Sequence, residues 1–131
     1  VDDLYALPIL CEAVKKLRLP DLIVVSPDMG FAKKARQYAS YLGAPLAIGD
    51  KERRDHSESA EVLDIIGEVG GKTALLVDDV MLSGGTLVDI AEKLLERGAR
   101  EVYAAVTHGA VSEKTVKKLS GSPIRKLLMT D

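Results

Sequence analysis

Two runs without a polar side chain, Leu22-Ile23-Val24-Val25 and Ala74-Leu75-Leu76-Val77, set the strongest limit on how this chain can fold. A strand with one wet face alternates apolar and polar residues. A run with no polar member reads as a strand covered on both faces, as inner strands of a parallel sheet are. Each run leads into a glycine-bearing turn and then into a segment of helical period, which is the pattern of βαβ units.

The rest of the chain fits that frame. Residues 3–18 have helical spacing through Leu4, Leu7, Leu10, Cys11, Val14 and Leu17, with Pro8 near the first turn. A helix is predicted from about Phe31 to Leu42, ending at Gly43. Another is predicted from about Gly85 to Arg97, with Leu87, Ile90, Ala91, Leu94 and Leu95 on one face and Gly98 as its stop. Further strands are predicted at 45–48, 102–107 and 124–129. Val62-Leu63-Asp64-Ile65-Ile66 leans to a strand on its β-branched content, and Ser112 caps a predicted helix to Leu119. Residues 50–59 are almost wholly polar and read as an exposed, mobile loop. The expected class is α/β: a mainly parallel sheet flanked by helices, in one domain over residues 1–131.

Composition removes several functions. A formal charge of -2 argues against a general nucleic-acid binder. No apolar run has the length of a membrane span, and the acidic opening Val1-Asp2-Asp3 does not read as a signal peptide. One cysteine, Cys11, allows no internal disulfide, fits a reducing cytoplasm, and reads as a small buried hydrophobe. The opening on Val1 and the close on Met129-Thr130-Asp131 suggest an excised lobe or a processed fragment.

The chemistry concentrates in Leu75-Leu76-Val77-Asp78-Asp79-Val80-Met81-Leu82-Ser83-Gly84-Gly85-Thr86. A buried strand delivers two carboxylates, then a Ser-Gly-Gly-Thr turn opens a helix. Glycines admit close backbone approach, and amides at a helix start can cradle a phosphate dianion. Ser83 and Thr86 add hydroxyl donors, while Asp78 and Asp79 can accept from a pair of neighbouring hydroxyls. Phosphate cradle and diol acceptor in one loop describe a pentose 5-phosphate. The plainer reading, a soluble turn, leaves unexplained why two carboxylates end a wholly apolar strand.

This segment resembles the phosphoribosyl-binding signature of the type I phosphoribosyltransferases and of the ribose-phosphate pyrophosphokinases that share their fold. Three further stretches resemble the pyrophosphokinases. Ser26-Pro27-Asp28-Met29-Gly30, ahead of the basic helix Lys33-Lys34-Ala35-Arg36, is similar to the family's Ser-Pro-Asp-x-Gly stretch. The resemblance places Asp28 beside a catalytic magnesium, and the helix start would make a second anion cradle; an aspartate capping that helix is the simpler alternative. Lys51-Glu52-Arg53 resembles the mobile cationic loop that closes over the ATP polyphosphate. Val1 to Pro8 and Val102 to Gly109 carry the likeness along nearly the whole chain.

The resemblance implies a type I phosphoribosyltransferase-like fold, here one lobe of a two-lobe cytoplasmic enzyme of nucleotide biosynthesis, a homo-oligomer when full length. Its substrates would be ATP and ribose 5-phosphate and its cofactor Mg2+. Asp78, Asp79, Ser83, Gly84, Gly85 and Thr86 would bind ribose 5-phosphate, Lys51 and Arg53 would be catalytic, and Asp28 would be the metal carboxylate. Departures are Leu82, where the family carries an acid, Phe31 in place of a second glycine, an extra residue in the cationic loop, and the absence of the lobe that holds adenine and a magnesium-binding histidine. The competing readings are a type I phosphoribosyltransferase, or a silent regulatory or assembly domain of the same fold.

Overall fold

The sheet grows outward from the two apolar runs. In a computed structural model, which describes residues 3–53, 61–78, 84–107, 117 and 121–130, the elements follow in the order α1 (Asp3–Leu17), β1 (Leu22–Ser26), α2 (Ala32–Leu42), β2 (Leu46–Arg53), β3 (Glu61–Ile66), β4 (Thr73–Asp78), α3 (Gly84–Glu96), β5 (Glu101–Thr107) and β6 (Ile124–Thr130). The strands form one sheet in the order β3-β2-β1-β4-β5-β6. All neighbours are parallel except β2 and β3. The runs at 22–25 and 74–77 are the central pair, as their lack of polar residues requires.

Each inner strand sends alternate residues to opposite faces. Ile23, Val25, Ala74, Leu76, Val102, Ala104 and Val106 pack with Leu87, Ile90, Ala91 and Leu94 of α3. Val24, Leu75, Val77 and Ala105 pack with Leu10, Cys11 and Val14 of α1 and with Ala35, Tyr38 and Ala39 of α2. Two cores thus lie back to back across the sheet. Cys11 is fully buried, and that burial pushes its thiol up to about 11.

Helix stops fall where glycine marks them. Gly43 and Gly98 take left-handed φ values of 65° and 95°, and the residue after each donates back into the helix: Ala44 to Ala39 O at 2.9 Å, Ala99 to Leu94 O at 3.0 Å. Pro8 lies deeper in α1 than expected, in its second turn, where its ring removes one intrahelical donor.

Two expectations change. Residues 50–53, read as loop, continue β2: Asp50 pairs with Asp64, Lys51 with Leu63, Glu52 with Val62 and Arg53 with Glu61. Their composition is poor in strand formers, and the long-range ladder to β3 supplies what local propensity does not. The strand at 61–66 is antiparallel and forms the edge of the sheet. The helix predicted from Ser112 lies outside the described residues, save for Lys117, which is helical.

Candidate functional site

The chain leaves β1 toward β2 through α2, and leaves β4 toward β5 through α3, on the opposite face and in the opposite direction. The two connections therefore part at the carboxyl ends of β1 and β4, and that parting opens the crevice where parallel sheets hold ligands. Val25 is in register with Leu76. Asp28 stands three residues beyond the first and Asp78 two beyond the second, on strands about 4.8 Å apart. Asp28 and Asp78 therefore leave the same end of the parallel strands, while Asp79 lies outside the described residues.

The turn after β1 is tightly braced. Ser26 is fully buried, and its hydroxyl donates to the backbone carbonyl of Asp28 at 2.6 Å. The Phe31 amide donates to Asp28 Oδ1 at 2.9 Å. The bond braces the turn ahead of α2, whose N-cap residue is Phe31 and whose first turn contains no acid. The chain's own carboxylate thus takes an amide just ahead of the helix start expected to form a second anion cradle. The bond engages one oxygen and leaves Oδ2 for another cation or donor. Gly30 keeps room around it, since a Cβ there would stand 3.3 Å from Asp28 Oδ1. Phe31 packs against the core under α1 and α2. Its departure from glycine leaves the turn in place.

The turn after β4 is built differently. Asp78 ends the strand half-buried, and it has an interaction partner of its own. Gly84, Gly85 and Thr86 form the first turn of α3, where backbone amides have no partner within the helix. That turn has no acidic residue to take those amides. Asp79 and Ser83 lie outside the described residues, so the cradle is described from its helical half.

Lys51 and Arg53 arrive on an arm. The last β1–β2 pair is Ser26 with Ile48, whereas β2 runs on to Arg53 paired only with β3. Five residues at about 3.3 Å each carry the ladder roughly 16 Å past the end of β1. It extends beyond the same edge that Asp28 and Asp78 occupy. Across the ladder Asp64 binds the side chain of Arg97, in the turn just after α3, and accepts from the Ile65 amide at 2.8 Å, which ties the arm's base to the end of that helix.

A family model described as the phosphoribosyl synthetase-associated domain matches residues 57–131, more than half of the chain. The chain belongs to that family. The ribose-phosphate pyrophosphokinase of Caldanaerobacter subterraneus subsp. tengcongensis is 48% identical over 132 residues, a match that takes in 100% of this chain and 42% of the relative. A crystal structure of phosphoribosylpyrophosphate synthetase from Mycobacterium smegmatis superposes with a TM-score of 0.85 at 32% identity, over 96% of this chain and 40% of that one. The chain thus spans about two fifths of the length of these relatives. Its fold extends to the orotate phosphoribosyltransferase of Aeropyrum pernix, with a TM-score of 0.70 at 24% identity, a likeness of fold alone.

Sequence reasoning gave Ser26 and Gly49 no role of their own. A serine ending an apolar strand was the available signal for the first. The second becomes visible only when β2 is laid beside β1. Three shifted titrating groups answer to hydrogen-bonding neighbours outside the crevice turns. The Glu12 carboxyl is held low first by the Tyr41 hydroxyl bonded to it at 3.0 Å, the Tyr41 phenol is correspondingly raised, and burial followed by the Glu101 hydrogen bond raises Tyr103. Among the described residues no helix is long and apolar enough to cross a membrane, and no group of three or more His, Cys, Asp or Glu could hold a metal ion.

Proposed function

We propose that this domain holds ribose 5-phosphate in the crevice between β1 and β4, and that the whole protein transfers the diphosphoryl group of ATP to the ribose 1-hydroxyl. One observation carries the reading. At the switch point of the sheet, a carboxylate turn and a glycine-opened helix start face the same crevice, with a cation-bearing arm leaving the same edge.

The α3 amides of Gly84, Gly85 and Thr86, with the Ser83 and Thr86 hydroxyls, would take the 5-phosphate. Asp78 and Asp79 would accept from the ribose hydroxyls. The 1-hydroxyl oxygen forms a bond to the β-phosphorus of ATP, the bond from that phosphorus to the α-phosphate oxygen breaks, AMP leaves, and the hydroxyl proton is lost to solvent. Lys51 and Arg53 would face the charge that develops on the moving group. Such catalysis is mainly positioning and charge stabilisation, which suits a site with no nucleophile.

A magnesium ion would suit the donor set. Magnesium is commonly held by one or two carboxylates with the remaining positions filled by phosphate oxygens and water. Asp28 offers one oxygen beyond its bond to the Phe31 amide. The ion would supply charge neutralisation on the polyphosphate. A cytoplasmic setting and a homo-oligomeric whole protein belong to the same reading, supported by the relatives' activity and by a single buried thiol.

Titration calorimetry of this chain with ribose 5-phosphate tests the substrate half. Binding is expected, and Asp78→Ala should weaken it by about 1.5–3 kcal/mol, the usual range for hydrogen bonds to a charged group. Wild-type chain that is folded and yet gives no heat with ribose 5-phosphate overturns the assignment.

A further inference from the structure

The Asp28 turn has a second support that no side chain provides. Beyond the pair Ser26–Ile48, β1 runs into Pro27 just as β2 runs into Gly49. A Cβ on Gly49 would stand 2.8 Å from the Pro27 carbonyl oxygen, 3.4 Å from the Pro27 carbonyl carbon and 3.4 Å from the Ser26 carbonyl oxygen. All three are backbone atoms at the root of the turn, so no flexible side chain can swing aside to admit a methyl group. From the other side, the buried Ser26 hydroxyl holds the Asp28 carbonyl. Two residues beyond Gly49 the same strand reaches Lys51.

We propose that Gly49 and Ser26 are positioning residues. The missing side chain of Gly49 and the buried hydroxyl of Ser26 hold the Asp28 turn against β2, and so register the Asp28 carboxylate with the arm that carries Lys51 and Arg53. The inference deepens the function proposed above and rests on Asp28 as the metal-side carboxylate. It assigns these two residues to the polyphosphate half of the site. The β4–α3 connection does not rest on them.

Two readouts on this chain separate the role from mere stability. The first is the amide resonance and hydrogen exchange of Phe31, which report its bond to Asp28 without any ligand. The second is a pair of affinities: Mn2+-ATP by paramagnetic broadening, and ribose 5-phosphate by calorimetry. Gly49→Ala should shift the Phe31 amide, speed its exchange and weaken Mn2+-ATP by at least about tenfold, since small misplacements of charged groups are costly. Ribose 5-phosphate affinity should stay within about twofold, as expected of independent sites. Ser26→Ala, which adds no atom, should show the same split and carries the test if Gly49→Ala does not fold. Ser26→Thr, which keeps the hydroxyl, should restore the Phe31 amide.

Gly71→Ala is the control. Gly71 has a φ of 73° with nothing within 4 Å, before β4 at the far end of the sheet. It should melt earlier with both affinities kept. An unmoved Phe31 amide, or equal loss of both ligands in the site variants, overturns the positioning role. A moved amide in a chain whose wild type ignores Mn2+-ATP keeps the brace and overturns the polyphosphate reading.

Discussion

The connections β1–α2 and β4–α3 share one local plan, yet they offer opposite chemistry at the same edge. In the first, Asp28 stands three residues ahead of Phe31 and accepts from its amide, so a carboxylate is fixed just ahead of the helix start. In the second, Asp78 stands six residues ahead of Gly84, too early for that bond, and α3 opens on glycine with no acid in its first turn. Spacing alone decides the outcome. A carboxylate three residues before an N-cap residue can brace the turn by taking its amide, whereas Asp78 stands too far ahead of its helix for that bond.

That contrast can be broken at three levels. The largest effect should come from Leu76→Ala, because Leu76 is fully buried in β4 under α3. Truncating such a residue costs about 2–5 kcal/mol. If the two connections share one frame, denaturant melting followed at both turns should stay a single transition at a lower midpoint. Separate transitions would show that each turn belongs to its own cooperative unit. Next, Thr86→Ala should weaken ribose 5-phosphate by about 1–2 kcal/mol in calorimetry, the scale of one charge-assisted hydrogen bond, with stability little altered. Unchanged affinity removes Thr86 from the cradle. The smallest effect belongs to Asp28→Ala. Losing the bond from the Phe31 amide should cost about 1 kcal/mol of stability, read as a modest drop in melting temperature, while ribose 5-phosphate binds as before. A loss of sugar-phosphate affinity there would mean that the two turns are not chemically separate.

Much of this frame is legible in the residues. β1 and β4 announce themselves because strands covered on both faces need no polar member, and α2 and α3 end at glycines that take left-handed φ. The convergence of Asp28 and Asp78 follows from the same reasoning, since each comes just after a buried strand in a parallel sheet. What stayed hidden depends on partners distant in sequence. Asp50 to Arg53 is strand only because β3 returns alongside it, with Asp50 set opposite Asp64, a like-charge pairing that local reading would reject. The bond from the Phe31 amide to Asp28 needed the actual turn geometry to be seen. The crowding of Gly49 against Pro27 requires β1 and β2 to be side by side, which no local pattern states.

The two-stranded arm is keyed at its base. Ile65 is buried and pairs with Gly49 across the ladder, while its neighbours Asp64 and Ile66 are exposed. Strand side chains alternate, so slipping β3 by one residue would turn Ile65 out to water and bring Asp64 toward the core. Residues added beyond Gly49 lie on the tip side of that pair and leave its register in place, so one buried isoleucine lets the arm vary in length without moving the base that carries it.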